Sequence, residues 1–137
     1  MLSGPTVYGS EPAIQSVVRD ITVRKRLESE LIRLATTDSL TGIANRRSFF
    51  EQLEREWARA RRHSRTLSLM MFDLDHFKHV NDSHGHAVGD LVLAALVDEA
   101  RGLLRADDVL GRLGGEEFAI LLPEVDLRGA AAAAERL

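Results

Sequence analysis

Residues 109–122 read VLGRLGGEEFAILL, in which two apolar segments flank a Gly-Gly-Glu-Glu sequence. Alternation of apolar residues is typical of a half-buried strand, and a Gly-Gly pair between two such segments indicates a hairpin, since both glycines can take positive φ. We therefore predict strands at Val109–Leu113 and Phe118–Leu122. The tip of this hairpin would carry two carboxylates, those of Glu116 and Glu117.

A second apolar run, Leu67–Leu74, is rich enough to form a central strand and leads into two acids, Asp73 and Asp75. Helices are predicted after Asn45, over His76–Asp82 and from Asp90 to Leu104, and an alanine-rich helix begins after Gly129. The order helix, strand, helix, helix, strand, strand, helix is typical of an α/β (α+β) domain with an antiparallel or mixed sheet. In the helix after Asn45, the residues predicted to face inward are Phe49, Phe50, Leu53 and Trp57. In the helix from Asp90 to Leu104, they are Leu91, Val92, Ala95, Leu96 and Ala100.

Composition excludes several classes of protein. The 137 residues include 18 basic and 21 acidic ones, a net charge of −3, so a strongly basic nucleic-acid binder is excluded. The chain has no cysteine, which removes disulfide scaffolds, thiolate zinc sites and thiol nucleophiles and is compatible with a reducing compartment. We expect no membrane span, because no apolar stretch approaches the roughly 20 residues that a spanning helix requires. We also expect no signal peptide and a cytoplasmic location.

The first 35 residues differ from the rest in pattern. Turn formers at Gly4, Pro5, Gly9 and Pro12 precede apolar residues at Ile14, Val17 and Val18, which predicts a hairpin and strand too small for a core of their own. A helix with a narrow apolar seam should follow. The seam suits either a helix packed on its own domain or a parallel two-stranded connector. The seam residues are Leu27, Leu31 and Leu34.

Asp73 ends an apolar strand, where an isolated buried carboxylate is too costly and must be paired, protonated or bound to a cation. Alternation places it on one face with Leu67, Leu69 and Met71, towards the predicted hairpin tip. Hard oxygen ligands of this kind suit Mg²⁺. The alternative for Asp73 is a salt bridge to an arginine, and for Asp75 it is a role as helix N-cap.

The turn around His76, Phe77 and Lys78 exposes backbone N–H groups at a helix start, which can bind an anion such as phosphate. Asn81 and Asp90 offer the amide and carboxylate that read a guanine edge, although each is also a common helix cap. His84 and His86 suggest a zinc pair, but no third ligand follows at metal-site spacing.

The order of these features along the chain carries a family resemblance. Residues 38–47 (DSLTGIANRR), 73–90 (DLDHFKHVNDSHGHAVGD) and 114–118 (GGEEF) together resemble the GGDEF family of diguanylate cyclases. Ser39 stands where proline is commoner, and Glu116 is a common variant that keeps the carboxylate. The resemblance extends from about Thr36 to the end of the sequence.

The resemblance implies a GGDEF fold, similar to the polymerase palm and class III nucleotide cyclases, that joins two GTP molecules into cyclic dimeric GMP (c-di-GMP) and releases pyrophosphate. Each domain would hold one GTP, so two copies must meet and catalysis requires a homodimer. The cofactor would be Mg²⁺, with Mn²⁺ as a substitute. The resemblance implies that Asp73, Glu116 and the Leu74 carbonyl bind the metal. Glu117 would support the metal or the deprotonation of the 3′-hydroxyl. Asn81 and Asp90 would bind guanine, and the backbone around Phe77 and Lys78 would bind the phosphates.

Two further segments resemble parts of signalling proteins. Residues 19–28 (RDITVRKRLE) resemble the last strand and exit helix of a PAS-type sensor domain. The expected organisation is a sensor remnant at 1–22, a connector helix at 23–35 that sets the geometry of two cyclase domains, and a GGDEF domain at 36–137. Arg105 and Asp108 form an Arg-x-x-Asp pair where the family's product-inhibition site lies, although an arginine at a helix end needs no such role.

The resemblance also leaves alternatives and limits. A non-catalytic GGDEF module that binds GTP or c-di-GMP is one alternative, and a coiled-coil scaffold is another that would need a longer apolar seam. The family continues past the point where this sequence stops, with a further strand pair and a basic helix that touches the substrate phosphates. We therefore expect a truncated domain that binds GTP weakly by itself.

Overall fold

A computed structural model describes residues 2–8, 11–17 and 19–137, with side chains from residue 19 onward. The chain divides into two compact units, Met1–Ile32 and Arg33–Leu137. In the first, β1 (Leu2–Tyr8) and β2 (Glu11–Val17) pair antiparallel, which confirms the predicted hairpin in its backbone. The predicted apolar positions Ile14, Val17 and Val18 lie outside the described side chains.

Helix α1 (Thr22–Thr36) follows this hairpin and confirms the predicted helix. Its seam residues Leu27, Leu31 and Leu34 are 61%, 66% and 58% exposed, so the seam is not covered within the described residues. No helix in the described part of the chain is long and apolar enough to cross a membrane.

The second unit contains a four-stranded sheet with the order β3, β5, β6, β4. Strand β3 pairs parallel with β5, and the other two pairings are antiparallel, which confirms the mixed sheet. The strands are β3 (Ala44–Asn45), β4 (Leu67–Asp73), β5 (Val109–Arg112) and β6 (Glu117–Pro123). The flanking helices are α2 (Arg46–His63), α3 (Phe77–His84), α4 (His86–Leu103) and α5 (Leu127–Ala134).

Strand β6 is buried on both faces and organises the core. Phe118, Ile120 and Leu122 pack in one cluster with residues of α4. The alternate residues Ala119 and Leu121 pack in a second cluster with Phe49 of α2. Because successive side chains of a strand point to opposite faces, one strand supports both layers of helices.

Among the described strands, β4 does not take the central position predicted for it. Strand β4 lies at the edge of the described sheet, and its burial alternates. Met70 and Phe72 pack against the core, whereas Leu69 and Met71 are 46% and 63% exposed. An apolar run alone does not distinguish a strand buried on two faces from one buried on a single face.

Two helix predictions also need correction. Helix α4 begins at His86 rather than Asp90, because Gly85 (φ 84°) separates it from α3 by a single residue. Its buried residues are Gly89, Leu93, Val97 and Ala100, while Leu91 is 70% exposed and Ala95 is exposed.

On α2, of the residues predicted to face inward, only Phe49 is fully buried. Leu53 is half-buried, whereas Phe50 and Trp57 are 41% and 56% exposed. The start of α2 follows the sequence signal, since the Asn45 side chain accepts a hydrogen bond from the Ser48 amide as N-cap.

Phe49 and Phe50 provide a matched pair for testing this packing. Phe49 is 1% exposed, so we expect Phe49→Ala to lower the free energy of unfolding by about 3–5 kcal/mol. Phe50 is 41% exposed and lies beneath Arg46, so Phe50→Ala should cost less than about 1 kcal/mol. Urea titration of both variants checks the difference, and equal losses would contradict the assignment of Phe49 to the core.

Candidate active site

The pairing of β4 with β6 places Asp73 directly opposite Glu117. Asp73 is the last residue of β4 and Glu117 is the first residue of β6, so both lie at the end of the sheet that carries the loop between β5 and β6. Residues directly opposite in an antiparallel pair have Cα atoms about 4.5–5.5 Å apart. The structure therefore brings together two of the three predicted metal-binding carboxylates.

Asp73 is exposed, contrary to the premise that its carboxylate is buried. The alternative of a salt bridge is also wrong, since within residues 19–137 Asp73 has no ion-pair partner. Among the described side chains, no group of three His, Cys, Asp or Glu residues is close enough to bind a metal. Asp73, Glu116 and Glu117 thus do not form a closed cluster.

A pair of carboxylates at one edge nevertheless suits a magnesium ion that binds with a nucleotide. Mg²⁺ usually takes one or two protein carboxylates and completes its shell with waters and substrate phosphates. Asp73 and Glu117 supply that number of ligands on an accessible surface. The donor set therefore fits a metal that arrives with its substrate rather than a closed structural site.

The hairpin loop is tight, but not for the predicted reason. The Leu113 amide donates to the Glu117 carbonyl (2.8 Å), and the Glu117 amide donates to the Gly114 carbonyl (3.3 Å). Within residues 19–137 the glycines with positive φ are Gly42 and Gly85, so neither loop glycine has positive φ. At Gly114 the close neighbour is a side-chain atom, since a Cβ there would lie 2.8 Å from Glu117 Oε2, at the end of a flexible and exposed side chain.

The turn between β4 and α3 leaves the Lys78 amide without a backbone acceptor among the described residues. The Phe77 amide donates to the Leu74 carbonyl (3.3 Å), and the amides of His79 and Val80 donate to the His76 carbonyl (2.8 and 3.3 Å). His76 occupies the N-cap position with φ 59° and Asp75 does not cap the helix, so the alternative role of Asp75 is wrong.

Asn81 and Asp90 lie within helices, so the alternative interpretation of each as a cap is wrong. Asn81 is inside α3 and half-buried, and Asp90 is inside α4 and exposed. A Cβ on Gly89 would lie 2.0 Å from Asn81 Oδ1 and 3.2 Å from the Phe77 ring. The close approach allowed by Gly89 thus places the Asn81 amide beside the residue that precedes Asp90.

Arg105 and Asp108 lie in one turn and line the same cavity. The Arg105 amide donates to Asp108 Oδ2 (2.8 Å), so Asp108 also stabilises its own turn. The cavity measures about 270 Å³. Its lining residues are Glu56, Arg59, Arg105, Asp107, Asp108, Pro123 and Glu124. Nothing in the local sequence around Arg59 indicates that α2 brings this residue to the cavity.

The sequence reasoning also missed an ion pair below the hairpin loop. Arg112 NH1 lies 3.1 Å from Asp38 Oδ1, and their side chains are 15% and 23% exposed. Burial raises the pKa of Asp38, but hydrogen bonds from Thr41 and the charge of Arg112 outweigh it, so the pKa lies below its ordinary value. Asp38 and Arg112 lie 74 residues apart, so only the folded sheet pairs them.

Comparison with known proteins identifies the family. Residues 35–137 match the family described as "Diguanylate cyclase, GGDEF domain". The chain therefore belongs to the GGDEF family. It is 38% identical to diguanylate cyclase DgcM of Escherichia coli over 135 residues. This aligned region covers 98% of this chain and 33% of DgcM. The chain is 47% identical over 103 residues to DgcP of Pseudomonas aeruginosa, which covers 75% of this chain and 15% of that protein.

Solved structures agree with this assignment. The coiled coil and GGDEF domain of DgcB from Caulobacter crescentus, in complex with c-di-GMP, matches with a TM-score of 0.77 and 35% identity over 82% of this chain and 59% of that one. Diguanylate cyclase SiaD of Pseudomonas aeruginosa, in complex with its activator SiaC, matches with a TM-score of 0.73 and 41% identity over 83% of this chain and 44% of that one. The chain spans about a third of the length of DgcM.

The lowered pKa of Asp38 predicts a pH dependence of stability. A carboxyl group whose pKa is lower in the folded state contributes stability above its unfolded pKa, about 3.9, and loses it as the pH falls through the folded pKa. We expect the difference in unfolding free energy between the wild type and Asp38→Asn to be largest near neutral pH and to shrink below about pH 4. Urea titrations from pH 7 to pH 2.5 measure it, and a pH-independent difference would contradict the ion pair.

Proposed function

We propose that this chain is the GTP-binding catalytic domain of a diguanylate cyclase. Two GTP molecules would be joined into c-di-GMP, as each 3′-hydroxyl attacks the α-phosphate of the other nucleotide and each attack releases pyrophosphate. The observation that carries the proposal is the register that sets Asp73 opposite Glu117 beside the Gly114–Glu117 loop. Membership of a family whose relatives are named diguanylate cyclases supports it.

The proposed metal ligands are Asp73, Glu116, Glu117 and the carbonyl of Leu74, and the proposed ion is Mg²⁺ or Mn²⁺. A bound divalent ion would offset phosphate charge and lower the pKa of the attacking hydroxyl. Leu74 already accepts the Phe77 amide hydrogen bond, which fixes the direction of its carbonyl. A carbonyl oxygen has a second lone pair and can still face a cation.

Glu117 is the proposed group that supports deprotonation of the 3′-hydroxyl. Its Oε2 lies near Gly114, beside the loop. A general base must reach its proton within hydrogen-bond distance, and a carboxylate at the start of β6 can do so for a nucleotide bound beside it. Glu117 is exposed, so a bound nucleotide can approach its carboxylate.

The rest of the nucleotide would bind across α3 and α4. The Lys78 amide and the Lys78 ammonium would contact the phosphates, together with the backbone at Phe77. Asn81 and Asp90 would bind the guanine edge, the amide accepting or donating and the carboxylate accepting from guanine N–H groups. Gly89 leaves the room that the Asn81 side chain occupies for this contact.

Catalysis would require a homodimer, because each domain supplies one nucleotide. The exposed seam of Leu27, Leu31 and Leu34 on α1 is the proposed dimer contact. We further propose that residues 1–22 end a PAS-type sensor domain, that 23–35 form the connector, and that the GGDEF domain begins at residue 36. The sensor would act in cis, in the cytoplasm, where GTP is available.

A non-catalytic module that binds GTP or c-di-GMP is the second candidate. It is supported by the cavity beside Arg105 and Asp108, which could hold a nucleotide without a reaction. The two candidates differ in whether GTP is consumed.

The proposal is tested by incubating the chain with GTP and Mg²⁺ and measuring c-di-GMP by chromatography and mant-GTP binding by fluorescence anisotropy. We expect weak but Mg²⁺-dependent binding and detectable product, and a loss of that activity of about 100-fold or more in Asp73→Asn, since the residue would contact the metal.

Gly114→Ala and Gly115→Ala form a matched pair for the loop. The first should reduce activity because its Cβ would push the Glu117 carboxylate out of its position, whereas a Cβ on Gly115 would meet no described heavy atom within 4 Å. Binding without product supports the non-catalytic module, and absence of both contradicts the proposal.

Arg105 is the proposed anchor of a product-inhibition site, with Asp108 as its partner. A hydrogen bond to a charged group contributes about 1.5–3 kcal/mol, so Arg105→Ala should weaken c-di-GMP binding about tenfold or more. Isothermal titration with c-di-GMP measures this, and Arg128→Ala on the exposed side of α5 is the control. An unchanged affinity in Arg105→Ala would contradict the assignment.

A further inference from the structure

Two arginines bind the backbone of the loop that carries Glu116 and Glu117. The Nε and NH2 atoms of Arg112 donate to the Gly115 carbonyl at 3.0 and 2.7 Å. Arg46 NH1 lies 3.5 Å from the Leu113 carbonyl, a longer and weaker contact. The loop is thus held by side chains on both sides of Gly114, in addition to its own hairpin hydrogen bonds.

The Arg112 guanidinium is fixed at its other end by Asp38. Asp38 Oδ1 accepts from Arg112 NH1 (3.1 Å) and also from the amide (2.9 Å) and hydroxyl (2.7 Å) of Thr41. Both charged side chains are largely buried, so solvent screens this pair less than the exposed pairs of the same domain. The guanidinium is planar and always charged, so one side chain spans a carboxylate and a carbonyl in fixed geometry.

The turn that contains Asp38 is attached to the last turn of α1. Asn45 Nδ2 donates to the carbonyls of Ala35 (3.0 Å) and Thr37 (3.4 Å), and Arg47 NH2 donates to the Ala35 carbonyl (3.1 Å). The Asp38 amide donates to the Ile43 carbonyl (2.8 Å). Asp38 is therefore itself held in place, rather than free to follow Arg112.

We propose that Asp38 and Arg112 are positioning residues for the reaction. They set the place of Gly115, and with it the distance of the Glu116 and Glu117 carboxylates from Asp73. This inference rests on the proposed function, and it assigns the pair no contact with GTP or metal. Its consequence is that the ion pair determines the Mg²⁺ concentration at which the nucleotide binds.

Arg112→Lys is the informative variant. Lysine keeps a positive charge opposite Asp38, but its single ammonium on a flexible stem cannot reproduce the fork that also holds the Gly115 carbonyl. Arg65→Lys is the control, because Arg65 pairs with Glu124 at the opposite end of β4 and β6 and, among the described residues, makes no contact with the loop. Both substitutions preserve charge and alter one ion pair.

Two measurements are made on the full chain. Amide hydrogen exchange without ligand is followed at Leu113 and Glu117 in the loop and at Ile120 in the core, and mant-GTP anisotropy is titrated with Mg²⁺. For Arg112→Lys we expect exchange about fivefold or more faster at the two loop amides, with Ile120 unchanged, since the opening is local. Half-maximal nucleotide binding should need about 10- to 100-fold more Mg²⁺, the usual effect of losing a group that orients a metal ligand. Arg65→Lys should match the wild type in both.

Unchanged exchange at Leu113 and Glu117 in Arg112→Lys would overturn the inference, whatever happens with nucleotide. Faster exchange at Ile120 by the same factor would also overturn it, because the pair would then only stabilise the fold. A wild-type chain without Mg²⁺-dependent mant-GTP binding contradicts the proposed function instead, and the ligand-free exchange still decides whether the pair positions the loop.

Discussion

The antiparallel pairing of β4 with β6 is the constraint on which the rest of the site depends. It sets Asp73 opposite Glu117, and a shift of one residue would turn one of these side chains to the other face of the sheet. The register is strongly fixed because β6 contributes residues to two core clusters, one on each face. The energy that positions the carboxylates therefore comes from apolar burial some residues away from them.

Close backbone approach is the second requirement of the site. Gly89 allows α4 to touch Asn81, and Gly114 leaves room for the Glu117 carboxylate. Both glycines act through the absence of a Cβ, since neither has positive φ. A Cβ at position 89 would meet the half-buried Asn81 amide and the Phe77 ring, whereas one at position 114 would meet only the flexible end of the exposed Glu117 side chain, so the demand for space is stronger at Gly89.

Local sequence signals predicted much of this structure. The hairpin around residues 114–117, the helix that follows Asn45 and the order of elements from α2 to α5 follow from the alternation and periodicity of apolar residues, which act over a few residues. The edge position of β4 and the burial of β6 could not be predicted in this way, because burial on a second face depends on which helix covers it. The start of α4 was missed because the single residue Gly85 separates two helices.

The candidate site was predictable to a similar extent. The acids and the Asn81–Asp90 pair were identified from motif order, whereas Arg59 and the Asp38–Arg112 pair were not. Asp38 and Arg112 are 74 residues apart, and the sheet alone brings them together. Long-range ion pairs of this kind have no local pattern, so sequence reasoning from one chain does not detect them.

We propose that a divalent ion binds together with GTP between the end of β4 and the hairpin loop. This proposal is tested most directly by adding Mn²⁺ and GTP to the isotopically labelled chain and recording which amide NMR signals broaden, because the paramagnetic ion affects only nuclei close to it. We expect the amide signals of Leu74, Glu116 and Glu117 to broaden first, and to do so only when GTP is present. Broadening centred on Asp107 and Asp108 or on His84 and His86, or broadening independent of GTP, would contradict it.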